Sequence, residues 1–174
     1  MPTFPEATTE PVYPESSELT AAKAAAATAS AAATAAESEL KSAEADEKAD
    51  FGPDGAFYSL KGQCVTFRAG AYTYEACPFA SAKQDHTSLG TFAGWETAEG
   101  GHVNYAEMSF KNGATCWNGP ARSLKLTFEC GVKDELLSID EPEKCTYTAR
   151  MMTPAACTEA ASSLMLDVAA DAEL

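Results

Sequence analysis

SLKLTFEC (123–130) sets Leu124, Leu126 and Phe128 two residues apart and closes on Cys130. Successive side chains in an extended chain point to opposite faces, so these three share one face and predict a half-buried strand. The texture continues on both sides. AFYSL (56–60), CVTFRA (64–69), AYTYEAC (71–77), HVNYAEMSF (102–110) and CTYTARMM (145–152) are short runs rich in aromatic and β-branched residues. In AYTYEAC, Tyr72 and Tyr74 again share one face. Turn formers separate the runs: Pro53-Asp54-Gly55, Lys61-Gly62, Ala69-Gly70, Gly100-Gly101, Asn112-Gly113 and Asn118-Gly119-Pro120. Short strands at regular spacing predict a mainly β domain, a flattened antiparallel barrel or sandwich.

All six cysteines fall between Cys64 and Cys157, and neither flank has any. An even number confined to one segment predicts a disulfide framework and an oxidising compartment. Six cysteines allow fifteen pairings, and arithmetic alone leaves them open. Roughly 105 residues make a small core, which disulfides help to stabilise. Closing the loop from Cys64 to Cys77 would contribute about 3 kcal/mol in the chain-entropy model. No metal or other cofactor is expected: there is no C-x₂-C pair, and His86 and His102 lie away from any cysteine cluster.

The flanks differ in kind. Residues 1–15 hold Pro2, Pro5, Pro11 and Pro14 among acids and threonines and read as disordered. Residues 16–50 are an Ala-rich helix or spacer, with twelve alanines between Ala21 and Ala36 and a helix expected from about Ser17 to Ala45. Leu19 and Leu40 are its only large apolar residues, so no heptad seam binds it to a partner. Residues 52–157 are the β domain. Residues 158–174 are an acidic tail, in which 158–165 could add a helical turn or two.

Net charge is −14, with −7 in residues 1–51, −3 in 52–157 and −4 in 158–174. No basic patch offers itself to phosphates, which argues against nucleic acid as a partner. Acidic surfaces are repelled by anionic lipid headgroups, and no 18-residue apolar run spans a membrane. The first residues, MPTFPEATTEPVYPE, lack the basic and apolar regions of a secretory signal. With the cysteine argument, this leads to the expectation of a fragment of a longer lumenal protein.

Five motifs in order carry a resemblance: GPDGAFYSLKGQC (52–64), YTYEACPF (72–79), SLGTFAGW (88–95), NGATCWNGPARS (112–123) and DEPEKCTYTARMMTPAAC (140–157). Together they resemble the mannose 6-phosphate receptor homology (MRH) lectin domain, in particular that of the endoplasmic-reticulum glucosidase II β subunits. The resemblance covers about three-fifths of the chain, residues 52–157. It implies disulfides Cys64–Cys77, Cys116–Cys145 and Cys130–Cys157. It also implies a mannose-binding quartet. Gln84 follows the second cysteine by seven residues, Arg122 closes CWNGPAR, and Glu141 and Tyr147 flank the fifth cysteine. Trp117, in the same run as Arg122, is the tryptophan that the glucosidase II β subunits add.

The residue chemistry fits a pyranose. Gln84 both donates and accepts, and Arg122 donates from a fixed fork, so the pair suits the axial 2-hydroxyl that separates mannose from glucose. Glu141 can accept from the 3- and 4-hydroxyls with charge-assisted strength, and Tyr147 can donate at the same edge. Trp117 is expected to brace Arg122 or floor the site. Gln63, beside Cys64, reads as a turn residue.

The implied function is a non-catalytic lectin module that binds terminal α-mannose of high-mannose N-glycans and assists glucosidase II in glucose trimming, an avidity effect. An OS-9-type glycan receptor of endoplasmic-reticulum degradation, or a structural domain with a dead site, are the alternatives. Catalysis is not expected. Asp140, Glu141 and Glu143 crowd one short segment, whereas glycoside hydrolysis needs carboxylates opposed across a cleft. Expected partners are high-mannose N-glycans and the glucosidase II α subunit. The cysteine-rich region that family β subunits use to hold the α subunit has no counterpart here. SLGTFAGW also carries Phe92 where the family often has a second tryptophan, and the segment from Gln84 to Ser88 is short. Asp171-Ala172-Glu173-Leu174 resembles a K/H-D-E-L retrieval signal and points to the endoplasmic-reticulum lumen.

Overall fold

A computed structural model describes residues 16–157. The Pro-rich segment 1–15, the helical turns anticipated in 158–165 and the terminal DAEL lie outside the described residues. Residues Met1–Ala49 and Asp50–Leu174 form separate compact units.

The first unit contains one helix, α1 (Ser17–Lys48). Ser16 caps it by accepting from Leu19 N at 3.2 Å. It runs three residues past the expected Ala45 and ends where Ala49 N–H donates to Asp46 O at 3.1 Å. It buries no residue, and Leu19 and Leu40 stand exposed. Its stability therefore comes from alanine propensity and length rather than from packing.

The second unit is a single eight-stranded sheet. Its strands are β1 (Val65–Ala69), β2 (Tyr72–Cys77), β3 (Ser81–Gln84), β4 (Thr87–Thr97), β5 (Val103–Lys111), β6 (Ser123–Cys130), β7 (Glu135–Glu143) and β8 (Thr146–Thr153). The spatial order is β1-β2-β3-β4-β5-β6-β8-β7. Edge strand β7 returns beside β1, so the sheet curls into a nearly closed barrel. No helix among the described residues is long and apolar enough to cross a membrane.

The pairing is antiparallel, as expected, except that β6 and β8 run parallel. The cause is local. After β6 the chain skips one strand position before laying down β7, and the short turn at Lys144-Cys145 then folds β8 back into the gap. The skip crosses the end of β8, where Gly131 N–H donates to Thr153 O at 3.2 Å. A Cβ on Gly131 would overlap the Met152 side chain, which would have to swing aside.

AFYSL is not a strand. It holds a 3₁₀ turn at Tyr58–Leu60, and another precedes it at Pro53–Gly55. Residues three apart eclipse in a 3₁₀ helix, so Phe57 and Leu60 both point into the barrel, where they are 5% and 0% exposed. The segment is tied down by Asp50: its carbonyl accepts from Trp95 Nε1 at 2.9 Å and its carboxylate from the Tyr105 hydroxyl at 3.2 Å. Strands β3, β4 and β7 were not among the expected runs.

Alternation fills the core as predicted. Leu124, Leu126 and Phe128 of β6 are all buried, with Met108 and Phe110 from β5 and Tyr147, Ala149 and Met151 from β8. An aromatic chain of edge-on contacts joins Phe51, Phe79, Phe92 and Trp95. Phe92, in place of a family tryptophan, packs on Phe79 and Phe110.

The sulfurs join Cys64 to Cys77, Cys116 to Cys145 and Cys130 to Cys157. Those are the pairs implied by the resemblance. The first staples the start of β1 to the end of β2. The second links the β5–β6 loop to the β7–β8 turn. The third fastens the end of β6 to the chain just beyond β8.

Candidate sugar-binding site

Gln84 owes its place to the β2–β3 hairpin. Ala80 N–H donates to Cys77 O at 3.0 Å across the turn, and the register sets Tyr74 directly opposite Gln84. Next in the chain, Asp85 adopts φ 49°, which Asp tolerates better than most residues. Its carboxylate accepts from Thr73 N at 2.9 Å while its own N–H donates to Thr73 O at 2.7 Å. The ladder is thus closed at the residue that carries the amide.

Arg122 sits at the close of the β5–β6 loop. Gly113 N–H donates to Arg122 O at 2.8 Å and Arg122 N–H to Ala114 O at 3.1 Å, so the two loop ends pair. One terminal nitrogen of the guanidinium donates to Thr115 O at 2.8 Å. Arg122 Nε is buried and has no hydrogen-bond partner among the described residues. A buried donor in that state costs about 1–3 kcal/mol, more when charged.

Glu141 lies where the β7–β8 register slips between Asp140 and Glu143. Its carboxylate accepts from Cys145 N–H at 2.6 Å, and this steadies Cys145 in a left-handed conformation at φ 65°. One carboxylate oxygen is therefore already engaged by the turn, which differs from a carboxylate wholly free for two hydroxyls.

Tyr147, 4% exposed, is the meeting point. Its hydroxyl donates to Gln84 Oε1 at 3.5 Å. Burial pushes the phenol above its ordinary pKa; the nearby Arg122 opposes that rise and Glu141 adds to it. Gln84, Arg122, Glu141 and Tyr147 thus come together at one end of the barrel.

Trp117 does not join them as expected. It is 85% exposed, with Lys144 Nζ 4.9 Å from its ring centroid. It neither braces Arg122 nor floors the site. Backbone carbonyls of residues 114 and 115 do the bracing, because Asn118 (φ 53°) and Gly119 turn the loop outward at the Cys116–Cys145 link.

Tyr74 went unremarked as a site residue. It is 9% exposed, and its hydroxyl accepts from Gln84 Nε2 at 3.0 Å. The signal was present in the sequence: a hairpin centred on Phe79 makes residues 74 and 84 cross-strand partners.

Two hollows open on the second unit. One of about 490 Å³ is walled by Phe57, Tyr105, Phe128 and Ala155 and holds none of the five expected residues. A second, of about 210 Å³, touches Tyr147 among Lys111, Ser123 and Thr148. The quartet itself is graded in exposure: Glu141 is exposed, Gln84 and Arg122 are half-buried and Tyr147 is buried.

The nearly closed, disulfide-stapled sheet defines an MRH domain. In the crystal structure of the MRH domain of glucosidase II beta bound to mannose, the matched chain is 38% identical, with a TM-score of 0.51, over 58% of this chain and 99% of that one. A family model described as glucosidase II beta subunit-like protein matches residues 23–172. The chain belongs to the glucosidase II beta subunit-like family. Glucosidase 2 subunit beta of Oryza sativa subsp. indica is 44% identical over 116 residues, which are 64% of this chain and 18% of that protein. Its Homo sapiens counterpart is 38% identical over 116 residues, 63% and 22% of the two chains. The chain thus spans about a fifth of the length of these relatives.

Proposed function

We propose that this chain is a non-catalytic lectin module that binds the terminal α-mannose of high-mannose N-glycans. The observation that carries the reading is the convergence of amide, guanidinium, carboxylate and phenol around Tyr147. The mannose-bound MRH relative, matched over nearly its whole length, supports it. The Arg122 guanidinium, with one terminal nitrogen spent on the Ala114 and Thr115 carbonyls, offers its other terminal nitrogen to the sugar's 2-hydroxyl. The Gln84 amide, with one N–H and one lone pair spent within the protein, keeps one of each for the ligand. Glu141 accepts from neighbouring hydroxyls with the oxygen that the turn leaves free. Trp117, being exposed, would be available to pack on the C–H face of a further sugar residue.

In this reading the module does no chemistry. Held beside a separate α-glucosidase in the endoplasmic-reticulum lumen, it would raise the local concentration of the glycan at that enzyme. Contact with a glucosidase II α subunit belongs to the same proposal and is testable by co-purification.

A glycan array probed with the whole chain tests the sugar reading. We expect capture of high-mannose structures, with competition by free mannose and not by glucose. Glu141→Gln and Arg122→Ala should each abolish capture while the thermal melt stays cooperative. Undiminished capture by both variants, or none by the parent chain, would overturn it.

A further inference from the structure

We propose that Tyr74 is a positioning residue for sugar recognition, holding the Gln84 amide in the one orientation that serves the ligand. The inference deepens the mannose-binding reading and rests on it.

An amide's two ends are nearly equal in size and opposite in hydrogen bonding, so packing alone cannot choose between them. Here a chain of hydrogen bonds chooses. Arg122 can only donate, and it lies beside the Tyr147 oxygen. The Tyr147 hydroxyl lies between two acceptors, the Glu141 carboxylate and Gln84 Oε1 at 3.5 Å. The shorter link is at the other end of the amide, where Gln84 Nε2 donates to the Tyr74 oxygen at 3.0 Å. That contact fixes which end of the amide faces Tyr74. Without Tyr74 as acceptor, the Nε2 end has no hydrogen-bond partner among the described residues, and the amide gains freedom to rotate or flip.

The support for Tyr74 is itself rigid. It is the cross-strand neighbour of Gln84, it is buried, and its ring lies 6.4 Å from that of Tyr147. It acts through Gln84: Tyr74 fixes the amide, and the amide meets the sugar.

Tyr74→Phe in the full chain keeps the ring and removes the oxygen. Mannose affinity, read by titration calorimetry, should weaken about three- to tenfold, the loss of one ordinary hydrogen bond. The double variant Tyr74→Phe/Gln84→Ala should bind no more weakly than Gln84→Ala alone, because both changes remove one function. Additive losses, or unchanged affinity in Tyr74→Phe, would overturn the proposal. A second measurement needs no ligand. In a ¹⁵N-labelled sample the Gln84 side-chain amide resonances should be protected from solvent exchange in the parent and lose that protection in Tyr74→Phe. Unmoved resonances overturn the role of Tyr74 alone. Failure of the parent chain to bind mannose overturns the sugar reading, and the positioning role with it.

Discussion

Two buried phenols set the chemistry at the rim. Burial is the main reason that both Tyr74 and Tyr147 ionise above the ordinary tyrosine value, and the Glu141 charge pushes each further in the same direction. The consequence for stability has a definite sign. A group whose pKa is raised by folding contributes fully below its unfolded value, here about pH 10, and the contribution is lost as pH climbs through the folded value. Chemical denaturation followed between pH 8 and 11 should show the parent chain losing stability more steeply than the Tyr74→Phe/Tyr147→Phe variant. Parallel profiles would contradict the assignment. The same neutral phenols are the donors and acceptors of the site, so sugar binding should persist to the edge of that alkaline range.

At the scale of elements, the β5–β6 loop is built on an immovable glycine. A Cβ at Gly113 would stand 2.6–2.7 Å from Arg122 O, Leu89 C and Ser88 O, all backbone atoms with no side-chain freedom to yield. Gly113→Ala should cost about 1–3 kcal/mol and displace Arg122, lowering the denaturation midpoint and mannose affinity together. A loss of stability with unaltered affinity would show that the loop holds Arg122 by other means. How legible each element was follows from its regularity. The period-2 runs of β2, β6 and β8 could be read because no bulge falls within them, whereas the aromatic and β-branched content of β5 made it readable despite a break in its pairing between Asn104 and Met108. In β7, a bulge between Leu136 and Ser138 moves the buried residues to Leu136 and Ile139, three apart, and Pro142 adds a breaker. In β4, a bulge between Phe92 and Gly94 does the same, with Gly90 and Gly94 at positive φ. AFYSL misled in the other direction: its aromatic content suits a strand, but its Phe57–Leu60 spacing is that of a 3₁₀ turn. Within the site, the proposed quartet came from the family resemblance, carried over position by position. Tyr74 required the hairpin register, and the outward turn of Trp117 required backbone angles that no spacing records.

At the scale of the whole molecule, the three disulfides divide the work. Cys116–Cys145 joins the loop that carries Arg122 to the turn between Glu141 and Tyr147, whereas Cys64–Cys77 staples two strands that already pair along their length. Removing either bridge by paired serine substitution should destabilise the domain by about 2–5 kcal/mol. Only loss of Cys116–Cys145 should also remove mannose binding at temperatures where the barrel is still folded. Equal effects on binding from both pairs would contradict this division.

The order of strands carries a consequence for synthesis. Because β8 lies between β6 and β7, the last of the described strands to leave the ribosome occupies the interior of the sheet, flanked by segments made before it. A nascent chain that stops short of Thr146 leaves β6 and β7 with an empty lane between them and both facing edges unpaired. The proposed quartet draws one member from β8 and another from β7, so recognition cannot precede completion. Recognition through the proposed quartet would belong to the assembled sheet alone: the architecture withholds the site until β8 has been threaded home.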